Sequence, residues 1–483
     1  MMRFLLKLMQ NIHRIAGTVL SLLFVVWFLS GFVMIYHSFP KVSIEDRISK
    51  LDYLTPPAIG IDKVDSIGRV KSLQSYLGER TFRIEGKGYN ATNLKEAETP
   101  EITLPYVEML ASLWCNEKIQ RIDTLRKLDQ WIPFGHLTAQ MPIYKVHFEG
   151  ETKQQLYVSS KTGDVLQFTN RTSRFWAWLG AIPHWVYFTQ LRKNAPLWID
   201  TVVWLSAIGS VMVIAGIYLG VRIFIKLRKR GKGFSPYRKR WYHWHYMAGL
   251  LFGLFVFTFT FSGMMSLSNT SGWFAAPDIS AQVRKSLSQP LDISQYALDY
   301  RTVIATYPNK IRQMEWSNFH QHPIYILHCD GGKRIYIDAS TNEIETLSLS
   351  PEAIKASLQQ VHGTNSTMTM EWMEEYDTYY AAKKQQLSLP VWKVAIADDY
   401  GSSYYIDPTT GNYRYVSNNH RLKHWLYPAL HSYRIGWLIN RPILWNILMW
   451  GTMIGGTIVS ITGLYLSCRF IRRKIGRKSS PKI

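Results

Sequence analysis

The sequence predicts a membrane protein in which four transmembrane helices form two duplicated pairs, with two α+β domains outside the membrane. Three observations lead to this fold class. Apolar residues are concentrated in four stretches, basic residues cluster beside them, and spaced residues of the first half recur in the second half. Such self-similarity indicates that the chain contains two copies of one unit.

Each apolar stretch is long enough to cross a bilayer, because about 20 largely apolar residues span roughly 30 Å of hydrocarbon. The predicted spans are 15–36, 199–221, 247–267 and 443–468. The first span is too long to be a cleavable signal peptide, and no small-residue cleavage site follows it. We therefore expect all four to remain as membrane helices.

The distribution of basic residues predicts the orientation of these helices. Segments 1–14, 222–240 and 469–483 hold three, nine and seven Lys or Arg residues and no Asp or Glu, which accounts for most of the net charge of +22. Such segments mark the cytosolic face. We therefore expect cytosolic termini, two periplasmic domains at a bacterial inner membrane, and contact with membrane lipid and not with nucleic acid.

The spans and charges divide the chain into eight predicted regions. They are a cytosolic N-terminus with helix 1 (1–37), a periplasmic domain with an interfacial segment (38–198), helix 2 (199–221), a basic cytosolic loop (222–246), helix 3 (247–267), a second periplasmic domain with an interfacial segment (268–442), helix 4 (443–468) and a basic cytosolic tail (469–483). Both long segments are of domain size.

The two long segments contain hairpin signals typical of α+β domains. Alternating β-branched and aromatic residues run into turn residues in 157–165, 405–413 and 336–344. In the first two, a glycine occupies the turn position that needs a positive φ. In the third, Asn342 replaces the glycine, and Asn tolerates that conformation.

Two other patterns resemble chemical motifs but favour structural explanations. His320 and His322 form an HxH pair, yet without a nearby third ligand a solvated strand or loop is the favoured interpretation. The three cysteines form no CxxC or paired pattern, which argues against a disulfide scaffold or a thiol redox centre. Cys115 and Cys329 share a compartment in which pairing is an option, but isolated buried thiols are favoured.

Histidines recur in register beside the predicted spans. At an offset of 232 residues, the matched pairs are His13 with His245, Ala16 with Ala248, Gly17 with Gly249, Ser30 with Ser262 and Gly31 with Gly263. At an offset of 247 residues, they are Arg174 with Arg421, Trp178 with Trp425, Leu179 with Leu426 and His184 with His431. Ionisable side chains beside hydrocarbon are costly, so a duplication that keeps them indicates a function.

Several stretches of the chain carry a family resemblance. They are LGAIPHWVYFTQLRKNAPLW (179–198), SPYRKRW (235–241), HWHYMAGLLFG (243–253), FSGMMS (261–266), HWLYPALHS (424–432) and TGLYL (462–466), together with the TGD and TGN hairpins. In these stretches the chain resembles the PepSY-associated transmembrane family, or iron-regulated membrane proteins, to which a periplasmic siderophore reductase belongs.

The resemblance covers nearly the whole chain and implies four helices, two periplasmic PepSY-type regions and, in at least some members of the family, haem b within the helix bundle. Some relatives carry a fused cytosolic flavin reductase domain. We expect none here, which leaves either a cytosolic protein or a quinol as the electron donor.

The repeated histidines are the predicted ligands of two haem b groups, because neutral imidazoles from facing helices are good axial ligands of haem iron. We expect His13 and His245 to hold the iron of one haem towards the inner leaflet. His184 and His431 would hold the iron of the other towards the outer leaflet. The small residues one turn after the first two histidines would leave room for a porphyrin face.

Three rival histidines lie near these positions. His243 is two residues from a predicted ligand, His37 closes the first span, and His424 precedes the last predicted ligand. The duplication disfavours His37 and His424, because their counterparts are Asn269 and Ala177.

Other repeated residues are assigned supporting roles. Arg174 and Arg421 would pair with haem propionates, since guanidinium binds carboxylate bidentately, with lipid headgroup contact as an equal alternative. The repeated Ser-Gly pairs, and Gly216 matching Gly463, are expected to permit close helix packing.

The resemblance and the histidines together predict an oxidoreductase, a transmembrane electron carrier that reduces a periplasmic ferric siderophore. Reduction would release the metal, because hard oxygen chelators bind Fe(II) far less tightly than Fe(III). Such a reaction needs no nucleophile or acid–base pair, and none is apparent. The alternative is a non-catalytic, membrane-anchored PepSY binding module for a peptide, protease or transporter partner, which leaves the repeated histidines unexplained.

Overall fold

The computed structural model of the chain describes residues 2–60, 63–64, 69–76, 78–84, 87–95, 102–268, 278–382 and 387–476. Asn269 and residues 477–483 of the predicted basic tail lie outside the described residues.

The helices are α1 Met2–Tyr36, α2 Ile44–Ile48, α3 Leu104–Trp114, α4 Arg171–Leu179, α5 Ala181–Trp185, α6 Thr189–Arg192, α7 Ala195–Arg228, α8 Arg240–Leu267, α9 Ser280–Ser288, α10 Tyr300–Thr306, α11 Pro351–His362, α12 Asn418–His424, α13 Leu430–Ser432, α14 Gly436–Ile439 and α15 Pro442–Gly476. Short 3₁₀ helices occupy Gly135–Gln140, Ile293–Gln295 and Asp330–Gly332, and a π-helical segment occupies Trp425–Ala429.

The strands are β1 Ser72–Tyr76, β2 Glu79–Ile84, β3 Lys87–Asn90, β4 Ile119–Leu125, β5 Ile143–Phe148, β6 Gln155–Ser159, β7 Val165–Thr169, β8 Ile311–Phe319, β9 His322–Cys329, β10 Arg334–Asp338, β11 Glu345–Thr346, β12 Met368–Met373, β13 Val391–Ile396, β14 Ser403–Ile406 and β15 Tyr413–Val416.

Four helices, α1, α7, α8 and α15, are long and apolar enough to cross a membrane. Each extends beyond its predicted span, because a helix satisfies its own backbone hydrogen bonds outside the hydrocarbon as well as inside it. Since α1 begins at Met2 and α8 at Arg240, His13 and His245 lie within these helices.

The four long helices pack in a ring. Helix α1 packs against α7 and α15, and α8 packs against the same two helices, which places α1 and α8 at opposite corners. Phe28 of α1 and Phe259 of α8 nevertheless meet edge to face, with ring centroids 5.9 Å apart. Aromatic pairs favour this geometry. Large apolar side chains therefore fill the middle of the bundle.

The chain divides into two compact units. The first comprises Met1–Lys41, Lys118–Thr270 and Lys423–Ile483, and it contains all four long helices. The second comprises Val42–Glu117 and Ser271–Leu422.

The first unit also contains an antiparallel four-stranded sheet in the order β4-β5-β6-β7. Ile143 and Tyr157 from this sheet share a buried core with Phe39, which follows α1, and with Ile182 of α5. This core attaches α5, the short helix that carries His184, to the sheet and to the end of α1.

The second unit contains two antiparallel sheets, in the orders β11-β10-β9-β8-β1-β2-β3 and β12-β13-β14-β15. In the larger sheet β1 pairs with β8, with Leu73 opposite Met314. The sequence predicts one domain in 38–198 and another in 268–442, whereas this sheet takes strands from both segments. The alternation along a strand shows which face is buried but not which distant strand is its neighbour, so the pattern does not indicate this sharing.

Two of the three predicted hairpin turns have the expected backbone. Gly163 and Gly411 both have φ of 70°, a conformation that glycine adopts without steric cost. The prediction for Asn342 is wrong, because it is not among the described residues with positive φ. The connection from Asp338, which ends β10, to Glu345, which begins β11, is long enough to turn without a left-handed residue.

Candidate functional site: two histidine pairs

Histidines from the two halves of the chain face each other at one end of the helix bundle. His13 lies in α1 and His245 in α8, the two helices at opposite corners, and their ring centroids are 6.1 Å apart. The planes of the two rings are inclined by 37°. The structure therefore brings the first predicted pair together across the middle of the bundle.

Glycines on the neighbouring helices make room for both rings. A Cβ atom on Gly216 of α7 would lie 2.5 Å from Cε1 of His13. A Cβ atom on Gly463 of α15 would lie 3.3 Å from Cε1 of His245. We expected these matched glycines to permit close packing of helices. In the structure, the space beside each glycine is occupied by a histidine ring.

The second predicted pair is also brought together. His184 lies in α5, shortly before α7, and His431 lies in α13, shortly before α15, and their ring centroids are 6.2 Å apart. A Cβ atom on Gly31 of α1 would lie 3.6 Å from Cε1 of His184, and one on Gly263 of α8 would lie 3.9 Å from Cε1 of His431. Each of the four rings therefore packs against a repeated glycine.

The two pairs lie at opposite ends of the bundle. On α1, His13 belongs to the first pair and Gly31 contacts the second pair. Their separation in sequence corresponds to about 27 Å along a helix, which is close to the hydrocarbon thickness of roughly 30 Å.

Hydrogen bonds from α1 hold the ring of His184. Its Nδ1 lies 3.2 Å from the hydroxyl of Ser30 and 3.2 Å from the carbonyl oxygen of Trp27. We expected Ser30 to permit helix packing, and its hydroxyl orients a predicted ligand as well.

His431 has the same two partners in the second copy. Its Nδ1 lies 3.0 Å from the hydroxyl of Ser262 and 3.2 Å from the carbonyl oxygen of Phe259. Both partners are the counterparts, at the offset of 232 residues, of those that hold His184. The duplication therefore extends to the hydrogen bonds of the rings.

The rings of the first pair are held by α7 and α15. Nδ1 of His13 lies 3.0 Å from the carbonyl oxygen of Met212. Nδ1 of His245 lies 3.0 Å from the hydroxyl of Thr462, and that hydroxyl donates to the carbonyl oxygen of Ile458 at 2.7 Å.

These partners assign the proton of every ring to Nδ1. A carbonyl oxygen can only accept, so a ring nitrogen bonded to one must donate. The Thr462 hydroxyl has already donated its proton, so it accepts from His245. The lone pair is then on Nε2, and no described residue forms a hydrogen bond to Nε2 of any of the four. Metal-bound histidines typically show this arrangement, in which the second nitrogen donates to a carbonyl or a similar acceptor.

The short helices that carry His184 and His431 end in the same strained way. Val186 and Tyr433, each two residues after its histidine, have φ of 54° and 50°. A left-handed conformation is rare for a β-branched or bulky residue and persists only where the surrounding structure imposes it. Two such residues at equivalent positions indicate that the path of the chain after each histidine is constrained.

A repeated tryptophan supplies part of that constraint. The indole N–H of Trp198 in α7 donates to the carbonyl oxygen of Trp185 at 2.8 Å. The indole N–H of Trp445 in α15 donates to the carbonyl oxygen of Ser432 at 2.9 Å. Each acceptor immediately follows a predicted ligand, so each indole anchors a ligand-bearing helix to the long helix after it.

The three rival histidines have other contacts. The ring of His37 stacks on Trp176, with ring centroids 4.3 Å apart. His424 uses Nε2 to bond to the carbonyl oxygen of Arg434 at 2.7 Å. His243 lies beside the ring of Trp244.

The two arginines predicted to bind propionates have protein partners. Arg174 donates to the hydroxyl of Thr169 in β7 at 2.9 Å. Arg421 donates to the hydroxyl of Ser403 in β14 at 2.8 Å and to the carbonyl oxygen of Gly401. These contacts favour a role in holding each small sheet, and propionate binding stays a prediction.

The HxH histidines also have protein partners. Nε2 of His320 lies 2.6 Å from the amide oxygen of Gln360, and Nε2 of His322 lies 2.9 Å from the carboxylate of Asp338. Within the described ranges, no group of three or more His, Cys, Asp or Glu residues is arranged to hold a metal ion.

The cysteines are free thiols, and none of them is bonded to another. Cys115 is buried, Cys329 is partly buried and Cys468 is exposed. The prediction of isolated thiols therefore holds, although only Cys115 is fully buried.

The separation of the rings fits two axial ligands of one iron. An imidazole nitrogen binds a first-row metal at about 2 Å and lies about 1 Å from the ring centre, so two such ligands on opposite sides have centroids roughly 6 Å apart. The observed separations are 6.1 Å and 6.2 Å. Both separations are therefore compatible with two imidazoles binding one metal ion.

Two residues close to the pairs carry buried polar atoms that would suit a bound group. The indole nitrogen of Trp27 and the hydroxyl of Tyr246 are buried and have no hydrogen-bond partner among the described residues. Trp27 also supplies the carbonyl that bonds to His184, and Tyr246 follows His245.

Sequence reasoning found the four histidines but missed the residues that orient them. Ser30 and Ser262 were visible in the duplication, and Trp198 and Trp445 are also matched at the offset of 247 residues. A repeated offset was therefore available as a signal, but it does not show which side chain contacts which.

Comparison with models of known protein families and with curated proteins finds no match to this chain.

Proposed function

We propose that the chain is a di-haem b protein that carries electrons across the inner membrane and reduces a periplasmic ferric siderophore. The observation that supports this most directly is the presence of two facing histidine pairs at opposite ends of the bundle. In each pair the ring centroids are about 6 Å apart, and no described residue forms a hydrogen bond to either Nε2, which leaves these atoms to bind a metal.

The chain would fix the ligand geometry before any cofactor binds. Its carbonyl and hydroxyl groups hold the proton on Nδ1 of each ring, and its glycines give each ring a fixed place. Haem b bound at these sites would supply one-electron Fe(III)/Fe(II) chemistry. The apolar residues in the middle of the bundle would keep water away from both sites.

The proposed direction of transfer uses the orientation that the charge distribution predicts. The basic segments adjoin the end of the bundle where His13 and His245 lie, so this end faces the cytosol if the termini are cytosolic. Electrons from a cytosolic protein or a quinol would enter there. They would leave at the opposite end of the bundle, where His184 and His431 lie.

The proposed acceptor rests on the resemblance to iron-regulated membrane proteins. One electron converts the chelated Fe(III) to Fe(II), which oxygen chelators hold weakly, and the siderophore leaves unchanged. No bond to carbon is made or broken. The chain would need only to bring the chelate near the outer site.

An absorption spectrum of the detergent-purified full chain tests the cofactor. We expect reducible haem b bands and a pyridine haemochrome assay that gives two haems per chain. A folded but colourless sample would contradict the proposal and favour the membrane-anchored binding module.

A second measurement tests the acceptor. The dithionite-reduced protein, freed of excess reductant, is mixed with a ferric hydroxamate or catecholate siderophore in the presence of a chromogenic Fe(II) chelator. We expect the haem bands to reoxidise and the Fe(II) complex to appear with one iron per electron. Reoxidation by oxygen alone, with no Fe(II) formed under anaerobic conditions, would exclude siderophore reduction.

A further inference from the structure

Helices α7 and α8 line an open, largely apolar groove on the surface of the bundle. The groove has a volume of about 940 Å³. Its apolar wall includes Ile214, Ile217 and Val221 of α7 and Leu254 and Phe257 of α8. Ile214 is 49% exposed and Leu254 is 63% exposed, so in a membrane these side chains would contact lipid rather than protein.

One end of the groove is strongly basic. Arg222, Lys226, Lys229 and Arg230 line it. Among the described residues, none of the four side chains forms an ion pair, and their one side-chain hydrogen bond runs from Arg222 to the hydroxyl of Tyr218 at 3.5 Å. The charges are therefore available to an anionic ligand.

We propose that this groove is a binding site for one anionic phospholipid. The phosphate would lie against the four cations, and one acyl chain would lie along the apolar wall. From Ile214 to Val221 the wall extends about 10 Å along α7, so it would hold the part of an acyl chain nearest the headgroup. Basic pockets between membrane helices recognise anionic headgroups in this way.

The chemistry of the lining favours a phospholipid over a quinol. Oxidation of a quinol releases protons, so a quinol site needs a carboxylate or a histidine to accept them. None of the residues that line the groove is Asp, Glu or His. The lining offers cations and apolar surface, and these match a phosphate with an acyl chain.

Native mass spectrometry of the full chain in detergent tests the site. The probes are phosphatidylglycerol and phosphatidylcholine with identical acyl chains, added in equal amounts. We expect phosphatidylglycerol adducts to predominate by about 10-fold or more. The double variant Arg222→Gln/Lys226→Gln should lower that preference to near parity, because each cation contributes about 1 kcal/mol at a membrane surface.

The matched control removes two charges from the same basic segment but not from the groove. Lys232→Gln/Arg238→Gln should keep the preference of the wild-type protein, because neither residue lines the groove. A third variant, Leu254→Trp, would fill the apolar wall and should weaken binding of both lipids. Haem content, measured in every variant, reports folding and should not change.

Three results would overturn the proposal. One is equal binding of the two lipids, and another is an equal loss of preference in the control variant. The third is displacement of the bound lipid by a short-chain quinone, which would identify a quinone site. Glycerol 3-phosphate, which offers the phosphate without an acyl chain, should not displace the lipid at millimolar concentration.

Discussion

The hydroxyl of Ser262 lies 3.0 Å from Nδ1 of His431, 169 residues further along the chain. The same pair of residue types recurs between Ser30 and His184 at 3.2 Å. Because each serine also donates to a carbonyl oxygen in its own helix, it accepts from the ring and fixes the proton on Nδ1. Both outer rings are thereby turned so that Nε2 is available.

Replacement of Ser262 by alanine should weaken the outer haem site without emptying it. The ring keeps the Phe259 carbonyl as an acceptor but loses the hydroxyl, and loss of such a partner typically costs 10- to 100-fold in metal affinity, so we expect about 10-fold. Ser266→Ala is the control, because Ser266 bonds to the Gly263 carbonyl in the same helix. Titration of the haem-free protein with haem measures the affinity of each variant. Equal haem affinities of Ser262→Ala and Ser266→Ala would contradict the role of Ser262.

Single replacements of the ligands should remove haem one site at a time. His13→Ala should lower the haem content from two per chain to one, and His184→Ala should remove the other haem. The double variant should be colourless. His243→Ala, two residues from a predicted ligand, should keep both haems. Pyridine haemochrome assays measure the number of haems per chain. Two haems per chain in His13→Ala would refute the assignment of His13 as a ligand.

Replacement of Gly216 by alanine should displace the ring of His13. The added Cβ would lie 2.5 Å from Cε1 of that ring, so the ring or the helix must move. Gly463→Ala should have a milder effect at His245, because the corresponding distance is 3.3 Å. We expect loss of the inner haem in the first variant and weaker binding in the second.

The control for these variants is Gly451→Ala, at a helical position where a Cβ would meet no atom within 4 Å. Alanine there should stabilise α15 by about 0.5–1 kcal/mol and leave both haems in place. Loss of haem in this control would show that the effect of Gly216→Ala is not specific to His13.

The hydrogen bond between His322 and Asp338 should make the stability of the second unit depend on acid. Partial burial opposes ionisation of Asp338, but hydrogen bonds from His322 and Ser340 outweigh it and lower its pKa to about 2. The unfolded carboxyl, with a pKa of 3.8, takes up its proton first as the pH falls. This contribution, of about 2 kcal/mol at most, is present above pH 4 and lost towards pH 2.

Denaturant unfolding of the full chain in detergent, followed by tryptophan fluorescence between pH 7 and pH 2, tests this dependence. Asp338→Asn should be less stable than the wild-type protein at pH 7 and equally stable near pH 2. Asp399→Asn is the control: Asp399 is exposed, so its replacement should leave the free energy of unfolding unchanged at both pH values. A stability difference in Asp338→Asn that does not change with pH would exclude the proposed titration.

The sequence predicts the long helices well because hydrocarbon imposes a simple length and composition on them. The duplication adds the pairing of His13 with His245 and of His184 with His431, since symmetric copies place equivalent residues at equivalent ends. It does not predict that Gly216 receives the ring of His13. Such contacts depend on the rotation of each helix about its axis, which packing determines and which an apolar sequence leaves open.

The domains outside the helices are predicted less completely. The turns at Gly163 and Gly411 follow from local backbone chemistry, which the sequence contains. The pairing of β1 with β8 joins strands that are far apart in the sequence, and the residue pattern of either strand does not predict which strand it pairs with.

The shared sheet also has a consequence for biogenesis. Strands β1 to β3 leave the ribosome before α7 and α8 are made, whereas β8, which completes their sheet, is made only afterwards. Until β8 is made, the edge of β1 that pairs with it stays unpaired, and it could pair with another nascent chain instead. If the two halves of the chain were made as separate fragments, the fragments would have to associate before the shared sheet could form.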